Sequence, residues 1–252
     1  MLAAERRKII LEKLQEEKKV VVSELGNLFA VSDETIRRDL DRICQDGLAI
    51  KSYGGAVLNE DGTDMPFNIR KIHNPDKKLK IAELIAPLVY DGDSIILDAS
   101  STAVFVAKAL KSKRRLKVIT NSIEVMLELS DMSDWTVIST GGYLNGDYLA
   151  FSGQRAIADI NGFCADKLIF SCKALDTQRG IMDNNDLFTQ VKREMVKAAK
   201  VKILAVDDSK FNKTALSKIA DIGDINILAT NTPLAPPWQD ILTNQGVDCL
   251  NP

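Results

Sequence analysis

Arg37, Arg38 and Arg42 recur at helical spacing behind the run Val31-Ser32-Asp33-Glu34-Thr35-Ile36, and Asp39-Leu40 continues it. A guanidinium offers a fixed charge and a planar fork of donors, the chemistry that reads guanine O6 and N7 or grips a phosphate. Such groups need a scaffold that turns them outward. Ser32 is placed to cap a helix starting at Asp33, where Asp33 and Glu34 suit the positive end of the helix dipole. Ile36, Leu40, Ile43 and Cys44 then form one apolar stripe, and Gly47 is a natural stop. Projection along the helix sets Glu34, Thr35, Arg38, Arg42 and Gln45 opposite that stripe, with Arg37 on its flank.

The elements around this helix follow from the same grammar. Ser23 is expected to cap a short helix carrying Leu25, Leu28 and Phe29, and a turn through Ala30-Val31 leads into Ser32, as in a helix-turn-helix over about residues 20–39. Residues 2–17 supply a further helix whose Ile10, Leu11 and Leu14 close a three-helix core. Val20-Val21-Val22 suits a short strand. Leu48-Ala49-Ile50 and Ala56-Val57-Leu58 can pair around Ser52-Tyr53-Gly54-Gly55, where glycine permits a hairpin tip. Lys51 and Tyr53 then project on a wing within reach of phosphates. A charged helix face by itself is usually only a solvated face; the order of elements is what narrows the reading. Residues 1–58 hold ten Lys/Arg and ten Asp/Glu, so DNA affinity has to come from placement.

A second kind of chemistry is written downstream, in small polar clusters that follow apolar runs. Ser94-Ile95-Ile96-Leu97-Asp98 reads as a buried strand. Similar runs are Leu116 to Ile119, Thr136 to Ile138, Lys167 to Phe170, Val201 to Val206 and Ile225 to Leu228. They alternate with helical stretches such as 77–90, with Leu79, Ala82, Ile85 and Ala86 inward, and 103–110. Alternation predicts a mainly parallel sheet covered on both faces, with ligands bound beyond the strand carboxyl ends. Ala99-Ser100-Ser101-Thr102 at a helix start offers hydroxyls and free amides to an anion. Thr120-Asn121-Ser122 follows the next run, and Ser139-Thr140-Gly141-Gly142 the one after, where glycine admits close approach to the main chain. Asp207-Asp208-Ser209-Lys210 and the helix residues Lys192-Arg193 add charge. Each cluster alone is what helix capping also requires; their recurrence on one edge points to a ligand rim.

With 252 residues and a net charge of −2, the chain divides most simply into a small and a larger domain. Residues 1–58 form the first, 59–74 a polar link, and 75–252 the second. No apolar run approaches the roughly 20 residues of a bilayer span, and the amino terminus has no signal-peptide core, so the chain is expected in the cytoplasm. Cys44, Cys164, Cys172 and Cys249 lack CxxC spacing and read as buried free thiols, with no zinc, disulfide or cofactor. His73, the single histidine, falls at the domain junction and reads as a structural or linker residue.

Val31-Ser32, Thr35 to Leu40 and Gly54-Gly55-Ala56 resemble the winged helix-turn-helix of the DeoR family of bacterial sugar-metabolism regulators. Phe67, Arg70, Asn74, Lys77, Asp91-Gly92-Asp93 through Thr102, Thr120-Asn121-Ser122, Gly141-Gly142, Val191-Lys192-Arg193 and Asp208-Ser209-Lys210-Phe211 extend the resemblance over nearly the whole chain. It implies an α/β chain: an N-terminal winged helix-turn-helix, then a sensor similar in fold to ribose-phosphate isomerases and CoA transferases. It also implies a phosphorylated-sugar effector held at Asp98 to Thr102, with Asn121, Lys192 and Lys210. The chain departs from the family pattern in three places. Tyr53 replaces a histidine, Ser171-Cys172 followed by Lys173 replaces a Gly-Ala pair, and Phe188 stands where an acidic residue is common.

The expectation is then a DNA-binding repressor of a carbohydrate operon, a dimer or tetramer on an operator, released by a sugar phosphate and not an enzyme. Arg38 and Thr35 are expected to meet base edges. Ser32, Arg37, Arg42, Lys51, Tyr53 and the Gly54-Gly55 backbone are expected to position the duplex. A phosphosugar isomerase with an accessory DNA-binding domain is the other reading, since Asp98, Asp207, Asp208, Lys192 and Lys210 supply acid, base and electrophile. The residues do not separate repressor from activator.

Overall fold

The computed structural model of the chain describes residues 1–45, 48–58 and 65–252. The expected stop at Gly47 and residues 59–64 of the expected link over 59–74 lie outside the described residues; within the rest of that link, Phe67–Ile72 is helical. The chain forms two compact units, Met1–Ile69 and Arg70–Pro252.

In the first unit, α1 (Ala3–Glu17), β1 (Lys19–Val21), α2 (Val22–Phe29), α3 (Asp33–Gln45), β2 (Ala49–Ser52) and β3 (Gly55–Leu58) follow in order. Ile10, Leu11 and Leu14 meet Leu25, Ile36, Leu40 and Ile43 in one buried cluster, as the helical stripes require. The strands pair antiparallel in the order β1-β3-β2. Ser52 faces Gly55, so Tyr53-Gly54 is a two-residue turn with Gly54 at φ +77°. Gly55 is required for another reason. A Cβ there would stand 1.9 Å from the Val20 carbonyl oxygen, so its bareness is what lets β1 lie against β3.

Three local expectations change. Ser23 does not cap α2; Val21 occupies that position and Ser23 is already helical. Strand pairing is the cause, because Val21 pairs with Gly55 and the Val22 amide donates to the Gly54 carbonyl at 2.8 Å, turning the chain from strand directly into helix. Val22 therefore belongs to α2 and not to the strand. Leu28 is 55% exposed, outside the core that Leu25 enters.

The second unit begins inside α4 (Phe67–Ile72), which carries the junction, and continues through α5 (Pro75–Ile85), β4 (Ser94–Leu97), α6 (Ser101–Ala109), β5 (Lys117–Thr120), α7 (Ile123–Glu128) and β6 (Thr136–Ser139). Then come β7 (Tyr143–Asn145), β8 (Ala150–Ser152), α8 (Gln154–Asn161), β9 (Ala165–Phe170), β10 (Ala174–Asp176), β11 (Gly180–Asp183) and α9 (Asp186–Lys197). β12 (Ala199–Ala205), β13 (Ser217–Ala220), β14 (Ile227–Ala229), α10 (Pro236–Asn244) and β15 (Asp248–Leu250) complete it. A seven-stranded parallel sheet, ordered β15-β14-β12-β9-β4-β5-β6, contains all six expected strands. Ile96, Leu168, Phe170, Leu204 and Leu228 bury its centre, which explains why these runs are continuously apolar. The pair β7-β8 and the antiparallel sheet β10-β11-β13 were not expected; their short strands carry little periodic signal.

The α5 stripe differs from expectation in one consequential way. Leu79 is 47% exposed while Lys78 is 5% exposed. The α-helix ends at Ile85 and passes into a 3-10 turn, Ala86–Leu88, because Pro87 cannot continue it. All four cysteines are free. Cys172 is buried and Cys44 and Cys249 are half-buried, but Cys164 is exposed, against expectation. Among the described residues no helix is long and apolar enough to cross a membrane.

Candidate functional site

The face of α3 is organised by a buried ion pair that the sequence reading did not assign. Asp39 points inward and receives Arg6 Nε at 2.5 Å and an Arg7 guanidinium nitrogen at 3.5 Å, joining α1 to α3. Ser32 caps the helix through the Thr35 amide at 3.3 Å, and its hydroxyl meets that of Thr35 at 2.9 Å. Lys51 of the wing reaches Asp41 of α3 at 2.8 Å, a bond that raises the Lys51 pKa and sets the wing against the helix. Arg37 lies 3.9 Å from Glu34. Arg38 is exposed and makes no ion pair among the described residues. Thr35, Arg38 and Arg42 line one concavity with Arg6 and Arg7, and Tyr53 at the wing tip is fully exposed. The unit thus presents outward guanidinium groups beside a projecting hydroxyl.

In the second unit the expected rim is real as a place: Asp98, Asn121, Thr140, Ser171, Asp207 and Thr230 all follow carboxyl ends of parallel strands. Its centre is a buried triad. Lys192 of α9 lies 2.7 Å from Asp183 and 3.2 Å from Asp98, and also donates to the Ser171 carbonyl at 2.8 Å. Burial alone lowers an ammonium pKa; the charges of Asp183 and Asp98 more than reverse this, so Lys192 is held above its ordinary value. The Asp98 carboxylate further accepts from the Ser100 amide and hydroxyl, at 3.2 and 2.6 Å, and from the Ser171 amide at 3.2 Å. Asp98 is therefore fully engaged in holding α6, β9 and α9 together. Burial pushes the neighbouring Cys172 thiol up to about 12 despite Lys192, so it stays protonated.

The remaining expected residues divide between capping and open chemistry. Ser100 caps α6 through the Ala103 amide at 3.0 Å, and Ser122 caps α7 through Val125 at 3.3 Å. Ser101 and Thr102 are buried in the first turn of α6. Thr120 donates to the Leu97 carbonyl at 2.7 Å. Asn121 donates to the Phe151 carbonyl at 2.8 Å and leaves its buried Oδ1 without a hydrogen bond, as Thr140 and Thr230 leave their hydroxyls. Gly141 and Gly142 permit a close approach, but by the chain itself. The Gly141 amide meets Asp159 at 2.7 Å, and a Cβ on Gly142 would stand 2.4 Å from the Ser152 carbonyl oxygen. Phe188 stacks on Tyr148 with centroids 4.2 Å apart, and the two close over Ala99 and Ala150.

The most strongly polarised part of the rim contains a residue not foreseen as part of it. Lys78 projects from α5 into the fold, its ammonium donating to the carbonyls of Arg70 and His73 and lying 5.9 Å from the Phe105 ring of α6. Burial lowers its pKa to about 7, with Asp207 opposing and Lys210 reinforcing the shift. Burial likewise lowers His73 to about 4, with Lys78 and Lys210 adding to it, so the imidazole is neutral. Asp207 is held low: burial works against ionisation, but Lys210 and the Ser209 hydroxyl and amide prevail. Lys77 pairs with Asp208 at 2.7 Å, and Asn231 brackets Asp208 from the next strand end. The stripe expected on this helix set Leu79 inward and gave Lys78 no role. Among the described residues no cluster of three His, Cys, Asp or Glu is placed to hold a metal ion.

A capped helix with outward arginines, a glycine-tipped wing and a separate α/β unit with a polar strand-end rim define a winged-helix transcription regulator with a C-terminal sensing domain. The chain belongs to the DeoR family: the DeoR-like helix-turn-helix domain matches residues 6–61 and the DeoR C terminal sensor domain residues 73–232. It is 38% identical over 237 residues to the uncharacterized HTH-type transcriptional regulator YulB of Bacillus subtilis, covering 94% of this chain and 92% of that one. It is 34% identical to an L-fucose operon activator of Haemophilus influenzae, over 91% and 92% of the two chains. It is 32% identical to the transcriptional repressor AccR of Agrobacterium fabrum, over 90% and 89%. Ribose 5-phosphate isomerase A of Methanocaldococcus jannaschii aligns over 55% of each chain at 18% identity, with a TM-score of 0.40.

Proposed function

We propose that the chain represses a carbohydrate-metabolism operon and is released from its operator by a phosphorylated sugar. The observation that carries the effector reading is the buried Lys78 ammonium, which is faced by Lys210 and lies 5.9 Å from the Phe105 ring of α6. A buried cation that burial brings close to neutrality is a site that a phosphate dianion stabilises. Ser100, Ser101 and Thr102 surround the phosphate end. Asn121 Oδ1, a buried acceptor, suits a sugar hydroxyl. Lys192 and Asp98 act as positioning residues, Gly141 and Gly142 shape the rim, and Thr120 and Ser122 hold its second loop.

Arg38, with Thr35, reads base edges. Ser32, Arg37, Arg42, Lys51, Tyr53 and the Gly54-Gly55 backbone set the duplex, joined by Arg7 beside Arg38. A cytoplasmic dimer or tetramer would match two such faces to repeated half-sites. The same geometry speaks against catalysis, because the carboxylates of Asp98, Asp183 and Asp207 are each engaged and none is poised as a free base.

The test is anisotropy of the full chain on its own upstream DNA against scrambled DNA at fixed salt, with a panel of sugar phosphates and their unphosphorylated counterparts. Specific binding relieved by one phosphorylated sugar is expected. Arg38→Ala should abolish operator preference while leaving sugar-phosphate binding intact; retained preference refutes the assignment. Turnover of a panel member without operator preference would replace this reading with that of an isomerase.

A further inference from the structure

The rim is tied to one short helix. The first residues of α4 belong to the first unit, where Ile69 packs against that unit's core, and its last turn, from Arg70, belongs to the second. That last turn is held by residues of the rim. Lys78 of α5 donates to the carbonyls of Arg70 and His73. Lys71 meets Glu124 at 2.7 Å, in the first turn of α7, the helix that Ser122 caps directly after Asn121. The Arg70 guanidinium lies 4.8 Å above the Tyr148 ring, which in turn stacks on Phe188, one turn before Lys192 on α9. Elements that follow several different strands therefore meet on a single helical turn at the unit junction.

An ammonium has three N–H donors, and the two carbonyls occupy two. With its pKa near 7, a large fraction of Lys78 is uncharged at neutral pH and grips those carbonyls less firmly. The charged groups that face it are Arg70, Asp207 and Lys210, with His73 neutral beside it. An anion taking the third donor favours the charged form and so strengthens all three bonds.

We propose that α4 is the element that reads the effector: a phosphate held by Lys78 and Lys210 completes the Lys78 clamp on the Arg70 and His73 carbonyls, fixes the last turn of α4, and thereby changes operator affinity. This rests on the effector reading above and adds its route to the first unit. The coupling needs only that the fixed and loosened forms of one helical turn differ in operator affinity.

The experiment uses the full chain, inorganic phosphate and the sugar-phosphate panel, with binding followed by calorimetry, amide exchange followed over residues 65–76, and operator affinity by anisotropy. Bound phosphate or sugar phosphate is expected to slow exchange at residues 70–74 and to shift operator affinity by about fivefold or more. Lys71→Ala combined with Glu124→Ala should leave phosphate binding in place and bring the ratio of operator affinities, with and without the anion, towards one. Binding with unchanged exchange at 70–74, or undiminished coupling in the double variant, overturns the role of α4 while the effector site stands. Absence of binding by every member of the panel overturns the effector site, and the relay with it.

Discussion

Lys192→Met tests the triad on which the rim is built. The ammonium stands 2.7 Å from Asp183 and 3.2 Å from Asp98, and side-chain exposure is 11% for Lys192, 11% for Asp183 and 1% for Asp98. Methionine keeps most of the volume but leaves two buried carboxylates facing each other without a cation. Removing one partner of a buried pair costs about 3–5 kcal/mol, because the survivor stays desolvated. For a domain of this size that is a fall in Tm of roughly 6–20 °C.

The pH dependence has a definite sign. Without Lys192, one carboxylate keeps its proton in the folded unit at a pH where the unfolded chain has released it. The folded state then binds more protons, and stability falls as pH rises. The deficit of the variant should thus be smaller at about pH 5 than at about pH 7. Adding Asp183→Asn to Lys192→Met removes the facing charge and should recover part of the loss. Trp135 and Trp238, the two tryptophans, both lie in the second unit, so their fluorescence in a denaturant titration follows that unit alone. A deficit below about 1 kcal/mol, or one equal at both pH values, would show that the triad is not the anchor described here.

Gly55→Ala should destabilise the first unit by about 1–3 kcal/mol or more, since its Cβ meets the Val20 carbonyl oxygen at 1.9 Å. Gly54→Ala, with nothing within 4 Å but a φ of +77°, should cost only about 1–2 kcal/mol, and circular dichroism melts that rank the two the other way would contradict the close-approach account. His73, lowered from 6.5 to about 4 mainly by burial, contributes stability that is full above pH 6.5 and lost as pH falls to 4. The loss is at most about 3 kcal/mol, so His73→Gln should flatten the acid limb of a stability-versus-pH curve; an unchanged limb would exclude that contribution.

Periodicity alone determines much of this protein. The stripe Ile36, Leu40 and Ile43 fixed which face of α3 is buried and left Arg38 outside, and six apolar runs located six of the seven parallel strands. Those signals are local: one side of a helix, or both sides of a buried strand, reports its surroundings through every residue along it. Partnerships across the fold leave no such trace. Lys78 sits in the run Lys77-Lys78-Leu79-Lys80, where the expected stripe set Leu79 inward and gave Lys78 no role. Only the approach of the Arg70 and His73 carbonyls, Asp207 and Lys210 makes it the buried cation and leaves Leu79 exposed. Asp39 reads as one more helix charge until Arg6 arrives from α1, and Asp98 reads as a ligand residue until Ser100, Ser171 and Lys192 surround it. Gly141 and Gly142 look open until Asp159 and the Ser152 carbonyl come against them. Sequence by itself thus determined the buried face of α3, the buried runs of the parallel sheet and which polar groups reach the strand ends. Tertiary structure decided which of those groups hold one another and which retain chemistry for a ligand, because a buried polar group is defined by the partner that desolvation obliges it to find.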